Sequence, residues 1–406
     1  NLNSATDLIT FTRASGGTAL RKISYGSELV TNGNGTTTAG WNNDGTTSAI
    51  IGNQIEVTSV SGVNGSGVNQ TITTVAGKRY KFSSDHAPQT GRARIEVKDN
   101  NVFGSGLGTL SQTSATGTYE FVFVALSNST YIRLEAFDTS SVVLFDNISV
   151  KEVLFDQADG TLQLFNHGNN VPRIEYNADG TVKGLLIEEA RTNLTTYSED
   201  FTHSSWDKTG LTAAAASQTG PDGQASMSTI TVSSINSTHE MLQSAVATSA
   251  NAVMTSSAIV RAGTGRYVGL RLYGRADRWS TAVFDLTTAS VTQESVGATS
   301  GTILSSNIEN IGGGLYRLSL TAFNSWDSNR IVVQLHNTGT PTMNIYGGES
   351  WLGAGETIEL GFMQHEAGSF PTSYIPTTGS TATRAADLAE IPTSAFGYNN
   401  DKGSLV

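Results

Sequence analysis

Residues 184–208, GLLIEEARTNLTTYSEDFTHSSWDK, gather Glu188, Glu189, Arg191, Glu199 and Asp200 in a chain that is only 15% charged. Paired carboxylates are the equipment of glycoside hydrolysis, which needs them facing each other across a bond, about 5–10 Å apart. Glu188 and Glu189 do not meet that need, because consecutive side chains of an extended chain point to opposite faces. Arg191 shares the face of Glu189 and is placed for a charge-assisted contact with it. The spacing predicts an ion pair that fixes architecture or joins subunits. Asp85 and His86, in SSDHAPQ, form a loop pair at a strand end with no nucleophile beside them. The histidines at 86, 167, 203, 239, 336 and 365 never fall at the i, i+2 or i, i+4 spacing of a transition-metal site. No G-x-S-x-G elbow occurs. The expectation is no catalytic residue and no enzyme.

Composition narrows the class further. A formal net charge of −11 and a pI near 5.0 repel phosphate backbones, so nucleic acid is excluded as a partner. Cysteine is absent, which removes disulfides, thiolate metal sites and thiol catalysis. No apolar run reaches the ~18–20 residues that cross a bilayer. The sequence starts at Asn1 with neither a basic nor an apolar leader, and both ends are expected to continue.

The positioning elements read as strands. GKRYKFSSD, RARIEVKD, TYEFVFVAL, YIRLEAFD and VVLFDNISV alternate with period two, separated by Gly, Asn and Ser. AVMTSSAIVRAG, RYVGLRLYG, TAVFDL, GLYRLSLTAF, RIVVQLHN and TIELGFMQHEAG repeat the plan. The two sets align in order. ELVTN leads through a loop to Trp41 as TNLTTYSEDF leads to Trp206, a Gln follows in NQTITT and in LQSAV, and each set closes on an acidic strand. Two Asp-Gly pairs at 159–160 and 179–180 mark hairpins in a ribbon between the copies. The fold predicted is all-β: tandem jelly-roll sandwiches joined by a small β-ribbon.

GLLIEEARTNL, YSEDF…SSW, RAGTGRYVGLRLYG, VFDLTT, GGGLYRLSLTA and HEAGSFPTSYIPTTGSTATRAAD resemble, in order over about residues 171–388, bacteriophage tail-fibre or tail-spike-like virion proteins. Such proteins carry jelly-roll modules akin to carbohydrate-binding modules. The opening ITFTRAS resembles the start of the same unit, usually separated from VPRIEY…GLLIEEARTNL by a short stretch. The resemblance implies a ribbon at 1–26 and 154–191, an inserted sandwich at 27–153, a second at 192–385, and at 386–406 the start of a further domain or tail. The strands at 8–14 and 160–190 are then expected to pair with one another.

The implied function is a non-catalytic structural subunit of the virion, a fibre, spike or appendage that attaches to host cell-surface polysaccharide. It would assemble with other virion proteins as a homo-oligomer, by family analogy a homotrimer. The alternatives are an accessory part of a polysaccharide depolymerase and a purely architectural head or tail decoration. No cofactor is expected beyond a structural calcium, which modules of this class often hold between first and last strands. The matching positions are Asn32 and Asp146, although LVTNGNG lacks the acidic residue expected near Asn32.

Sugar recognition needs a flat apolar ring against a pyranose face, with hydrogen-bonding groups at the rim. Trp41, Trp206, Trp279 and Trp326 lie in polar, turn-like settings. Each either plugs the open end of a sandwich or offers its ring to a sugar, with Trp279 and Trp326 best placed for the second role. Tyr267 and Tyr273 alternate onto one face of RYVGLRLYG, where they line a concave surface or pack into a core or subunit interface.

Overall fold

The computed structural model describes residues 10–60, 66–101, 104–243, 246–247, 252–299, 301–324 and 328–391. Every regular element among them is a β-strand. The chain divides into two compact units, one formed by residues 23–161 and the other by residues 1–22 with 162–406. The first boundary pair lies a few residues outside the 27–153 expected.

The unit 23–161 is a sandwich of two sheets. One orders Asn42–Asp44, Ser66–Thr73, Ser129–Ala136, Ala93–Asp99 and Gly106–Thr113. The other places Arg79–Thr90 between Gly117–Val124 and Val142–Phe155, with Gln54–Ser59 and Thr46–Ile51 continuing its edge. The period-two pattern does what it predicts: Ile95, Val97, Ile132 and Leu134 from one sheet meet Phe82 and Phe145 from the other in a single core.

The other unit carries a larger sandwich. Its first sheet runs Trp206–Thr209, Glu240–Gln243, Ser328–His336, Tyr267–Arg275, Arg278–Asp285 and Ser290–Val296. Its second runs Leu211–Ala213, Ala225–Val232, Thr357–Ala367, Ala252–Ala262, Leu315–Asn324 and Thr302–Gly312. A small ribbon, Ile174–Tyr176 paired with Val182–Leu185, precedes it in the chain.

The two sandwiches are copies, and their hydrogen bonds say so. Trp41 donates its indole N–H to the carbonyl of Asn32, and Trp206 donates to that of Tyr197. Gln70 Oε1 accepts from the amide of Thr31 at 2.7 Å, and Gln243 Oε1 from that of Thr196 at 2.8 Å. Ile148 N bonds to Gly33 O and Leu29 N to Val150 O; Met363 N bonds to Ser198 O and Leu194 N to His365 O. In each closing strand the residue before that first amide has positive φ, 50° at Asn147 and 55° at Phe362. The register slips at both places, so each copy has a bulge where its last strand meets its first. Phe362 keeps a conformation that a bulky side chain rarely adopts, which marks the bulge as a built feature.

One pairing differs from expectation. Thr10–Thr12 pairs with Leu388–Glu390, in the stretch expected to open a further domain, while Gly17–Glu28 is the strand beside Thr161–His167. Arg13 explains the route. Its guanidinium is buried and reaches Asp387 at 3.0 Å and the carbonyl of Gly168 at 2.9 Å. Asp387 also pairs with Arg173, whose Nη2 lies 2.9 Å from Glu188, and Arg384 approaches Glu188 at 3.4 Å. Glu188 further accepts from the amide and hydroxyl of Ser373.

The answer for the acidic stretch is thus architectural. Glu188 points inward with its side chain 8% exposed, and Glu189 points outward at 58%, paired with Arg191. Glu199 accepts from the Tyr374 hydroxyl, and Asp200 caps a turn by accepting from Thr202. Breaking a buried pair strands its partner charge, at about 3–5 kcal/mol, whereas an exposed pair is worth roughly 0–1. Glu188→Gln should therefore lower the urea unfolding free energy by several kcal/mol, while Glu189→Gln should leave it within about 0.5 kcal/mol. Equal effects would contradict the assignment.

Candidate functional site: a strapped groove on the second sandwich

Along Tyr267–Arg275, Val268, Leu270 and Leu272 enter the core, so Tyr267, Gly269, Arg271 and Tyr273 face outward. Beside them, by register, lie His336, Gln334, Val332 and Arg330 on one strand and Asp285, Val283, Thr281 and Trp279 on the other. This outer face is not open. The connection 337–350 crosses it as a strap, whereas the corresponding connection in the smaller sandwich is only 137–141.

The strap is seated by specific contacts. The carbonyl of Ile345 accepts from the Trp279 indole at 3.0 Å and from the amide of Asp277 at 2.8 Å. Gln334 Nε2 donates to the carbonyl of Gly347 and to Glu240. Asn344 Oδ1 accepts from Tyr346 N and Gly348 N, closing a tight turn that leaves Ile345 and Tyr346 about half exposed. Gly347 has φ +75°, and a Cβ there would lie 2.5 Å from the Trp279 ring, so only glycine fits.

Between strap and sheet a groove of about 240 Å³ remains, lined by Thr238, Glu240, Leu242, Arg271, Tyr273, Asn344, Tyr346 and Gly348. Tyr273 forms an aromatic wall close to two guanidinium groups, Arg271 at 4.8 Å and Arg330 at 5.5 Å from its ring centre. Arg271 is buried and paired with Glu240 at 3.1 Å, while its Nε and Nη1 have no hydrogen-bond partner among the described residues. His336 is also buried, with neither ring nitrogen bonded; burial, then the charge of Arg271, pushes its pKa down to about 3. The floor is thus polar and only partly satisfied.

Of the expected sugar-contacting residues, Tyr273 lines the groove and Tyr267 does not. Tyr267 is half-buried beneath the Arg266 guanidinium and beside Gly339. The tryptophan readings are corrected toward packing. Trp41, Trp206 and Trp279 are 7%, 2% and 5% exposed, each with its indole N–H taken by a backbone carbonyl, and none offers a free ring. Trp326 lies outside the described residues. Sequence reading missed Arg271, Glu240, Asn344 and Tyr346. Asn344, Tyr346 and the adjacent Gly347–Gly348 sit in a turn-like segment, a weak local signal; nothing local marks Arg271 or Glu240.

The positions matched to a structural calcium, Asn32 and Asp146, both take part in local hydrogen bonds. The carbonyl of Asn32 is taken by Trp41 and its amide donates to Ala39, while Asp146 accepts from the next amide. Among the described residues no cluster of three His, Asp or Glu side chains is arranged to hold a metal ion. A second cleft, of about 220 Å³, gathers Glu175, Lys183, Glu188, Glu309 and Arg317. Burial raises the Glu175 pKa to about 7, and its carboxylate accepts from Leu20 N.

No family model and no curated protein matches the sequence. Solved structures that align with it include the CBM22-1–CBM22-2 tandem domain of Paenibacillus barcinonensis Xyn10C, at 10% identity over 84% of this chain and 98% of that one, TM-score 0.26. A CBM4 module aligns at 16% identity over 30% of this chain and 99% of its own, TM-score 0.27. The N-terminal cellulose-binding domain of Cellulomonas fimi β-1,4-glucanase C aligns at 16% over 28% and 88%, TM-score 0.25. At such values the sandwich architecture stands on the sheet order and the matched hydrogen bonds.

Two outcomes test the geometry. Gly347→Ala, strained in φ and in contact with Trp279, should lower the thermal midpoint by several degrees and increase amide exchange across 344–348. Unchanged exchange would mean that the strap is not seated on Trp279. Glu175 takes its proton more readily folded than unfolded, so its contribution is complete below about pH 4.5 and lost as pH rises through about 7. Glu175→Gln should flatten the fall in stability between those values, measured by urea unfolding across pH.

Proposed function

We propose that the chain is a non-catalytic, glycan-binding structural subunit of a bacteriophage particle, with the strapped groove as its sugar site. The observation that carries the binding claim is the groove itself. An aromatic wall at Tyr273 and an exposed Tyr346 flank a floor that presents a guanidinium, a carboxylate and a hydroxyl from Arg271, Glu240 and Thr238. That combination suits a pyranose, whose C–H face packs on rings while its hydroxyls exchange hydrogen bonds.

The non-catalytic reading draws support from the acids. Glu188 and Glu189 point apart, and Glu188, Glu199 and Asp200 are each engaged in structural hydrogen bonds. Placement on a tail fibre, spike or appendage, assembly with other virion proteins and a homotrimeric state follow from the resemblance over residues 171–388. Several weak sugar contacts held in one assembly gain avidity from their high effective concentration.

A bacterial polysaccharide array probed with the full chain should give selective retention, and Tyr273→Ala and Tyr346→Ala should each weaken it about tenfold or more. Uniform silence, or retention that neither variant alters, would defeat the groove as the site. New reducing or unsaturated ends after incubation would assign the chain to a depolymerase instead. Light scattering on the eluted protein should report three copies.

A further inference from the structure

We infer that the groove takes an acidic sugar, with the carboxylate of a uronic-acid-type residue seated against the guanidinium of Arg271 and the charge of Arg330, over the Tyr273 ring, adding to the attraction. This rests on the glycan-binding reading and names its ligand class.

Arg271 is the central observation. It lines the groove, is 1% exposed, and makes one ion pair, through Nη2 to Glu240; Nε and Nη1 are buried without hydrogen-bond partners among the described residues. A desolvated guanidinium with unmet donors is costly, and burial lowers its pKa despite Glu240 beside it. A sugar hydroxyl would meet one of these donors, whereas a carboxylate would meet them with charge-assisted bonds in the planar geometry a guanidinium favours. Glu240 meets only Nη2 of Arg271, and its Oε2 also accepts from Gln334 Nε2.

The surrounding charge agrees. Arg330 lies over the Tyr273 ring with its Nη1 on the carbonyl of Gly274, and Arg275 pairs in register with Arg278 at the hairpin just beyond. Arg271, Arg275, Arg278 and Arg330 thus lie on this hairpin and the strand beside it, in a chain whose formal charge is −11. His336 adds no charge at neutral pH, since burial and then the charge of Arg271 lower its pKa to about 3. Access to Nη1 runs past Gly348, where a Cβ would lie 3.4 Å from it. A methyl group there would occupy space beside Nη1 and Thr238 at the groove wall.

The test uses the full chain and polymers containing galacturonate, glucuronate, mannuronate or sialate, each beside its carboxyl-reduced counterpart, in affinity electrophoresis. At least one acidic polymer should bind roughly tenfold or more tightly than its reduced form, and the preference should weaken with added salt. Arg330→Gln should weaken the preference and Gly348→Ala should erase it, each variant checked for native thermal unfolding. Retention of neutral polymers with no effect of carboxyl reduction would overturn the acidic assignment and leave the glycan site standing. Failure to retain any polymer, neutral or acidic, would remove both. An acidic preference untouched by either variant would place the anion elsewhere and overturn the assignment to this groove.

Discussion

A carboxylate removed from water has to be met by charge or by hydrogen-bond donors, and in the larger unit that requirement organises the chain ends. Asp387 and Glu188 are enclosed with Arg13, Arg173 and Arg384, while backbone amides and Ser373 supply the remaining donors. These five side chains come from segments that are remote in sequence. The network therefore acts as a many-point registry rather than a source of net stability, because desolvation consumes much of the Coulombic gain. It also explains why Thr10–Thr12 runs beside Leu388–Glu390: the arginine that follows the one strand and the aspartate that precedes the other form the 3.0 Å pair.

Duplication supplies the scaffold, and departure from duplication supplies the site. Both sandwiches keep the tryptophan that closes onto an early carbonyl, the buried glutamine beneath it and the bulged last strand. They part at the connection over the outer face, short at 137–141 and long at 337–350. In the smaller sandwich the equivalent face pairs its own charges, Arg133 with Asp44 and Glu135, and Lys98 with Glu96. In the larger one the strap removes polar groups from solvent without giving all of them partners, and an incompletely bonded floor is suited to a ligand that completes it.

Much of the architecture is legible in the sequence because it rests on local periodicity. Alternation at 80–97 and 129–150 places Phe82, Ile95, Leu134 and Phe145 in one core, and the repeat of Trp41 and Trp206 marks equivalent positions. The opposite orientations of Glu188 and Glu189 also follow from extended geometry alone. The binding residues are less legible. A tryptophan in a polar loop reads the same whether it is exposed or capped by a distant turn, and Trp279 is capped by Gly347, far along the chain.

The sequence by itself determined the class of element, the order of the strands' inward faces, the duplicated plan and the absence of thiol chemistry, since each depends on composition or on spacings of a few residues. Only the tertiary structure decided that three tryptophans pack rather than project, that the first described strand pairs with the last, and that Arg271 lies desolvated at the edge of a groove. The physical reason is that burial and hydrogen-bond satisfaction are properties of a neighbourhood. Neighbours supplied by a strap or a chain end many residues away leave no periodic trace in the segment they cover.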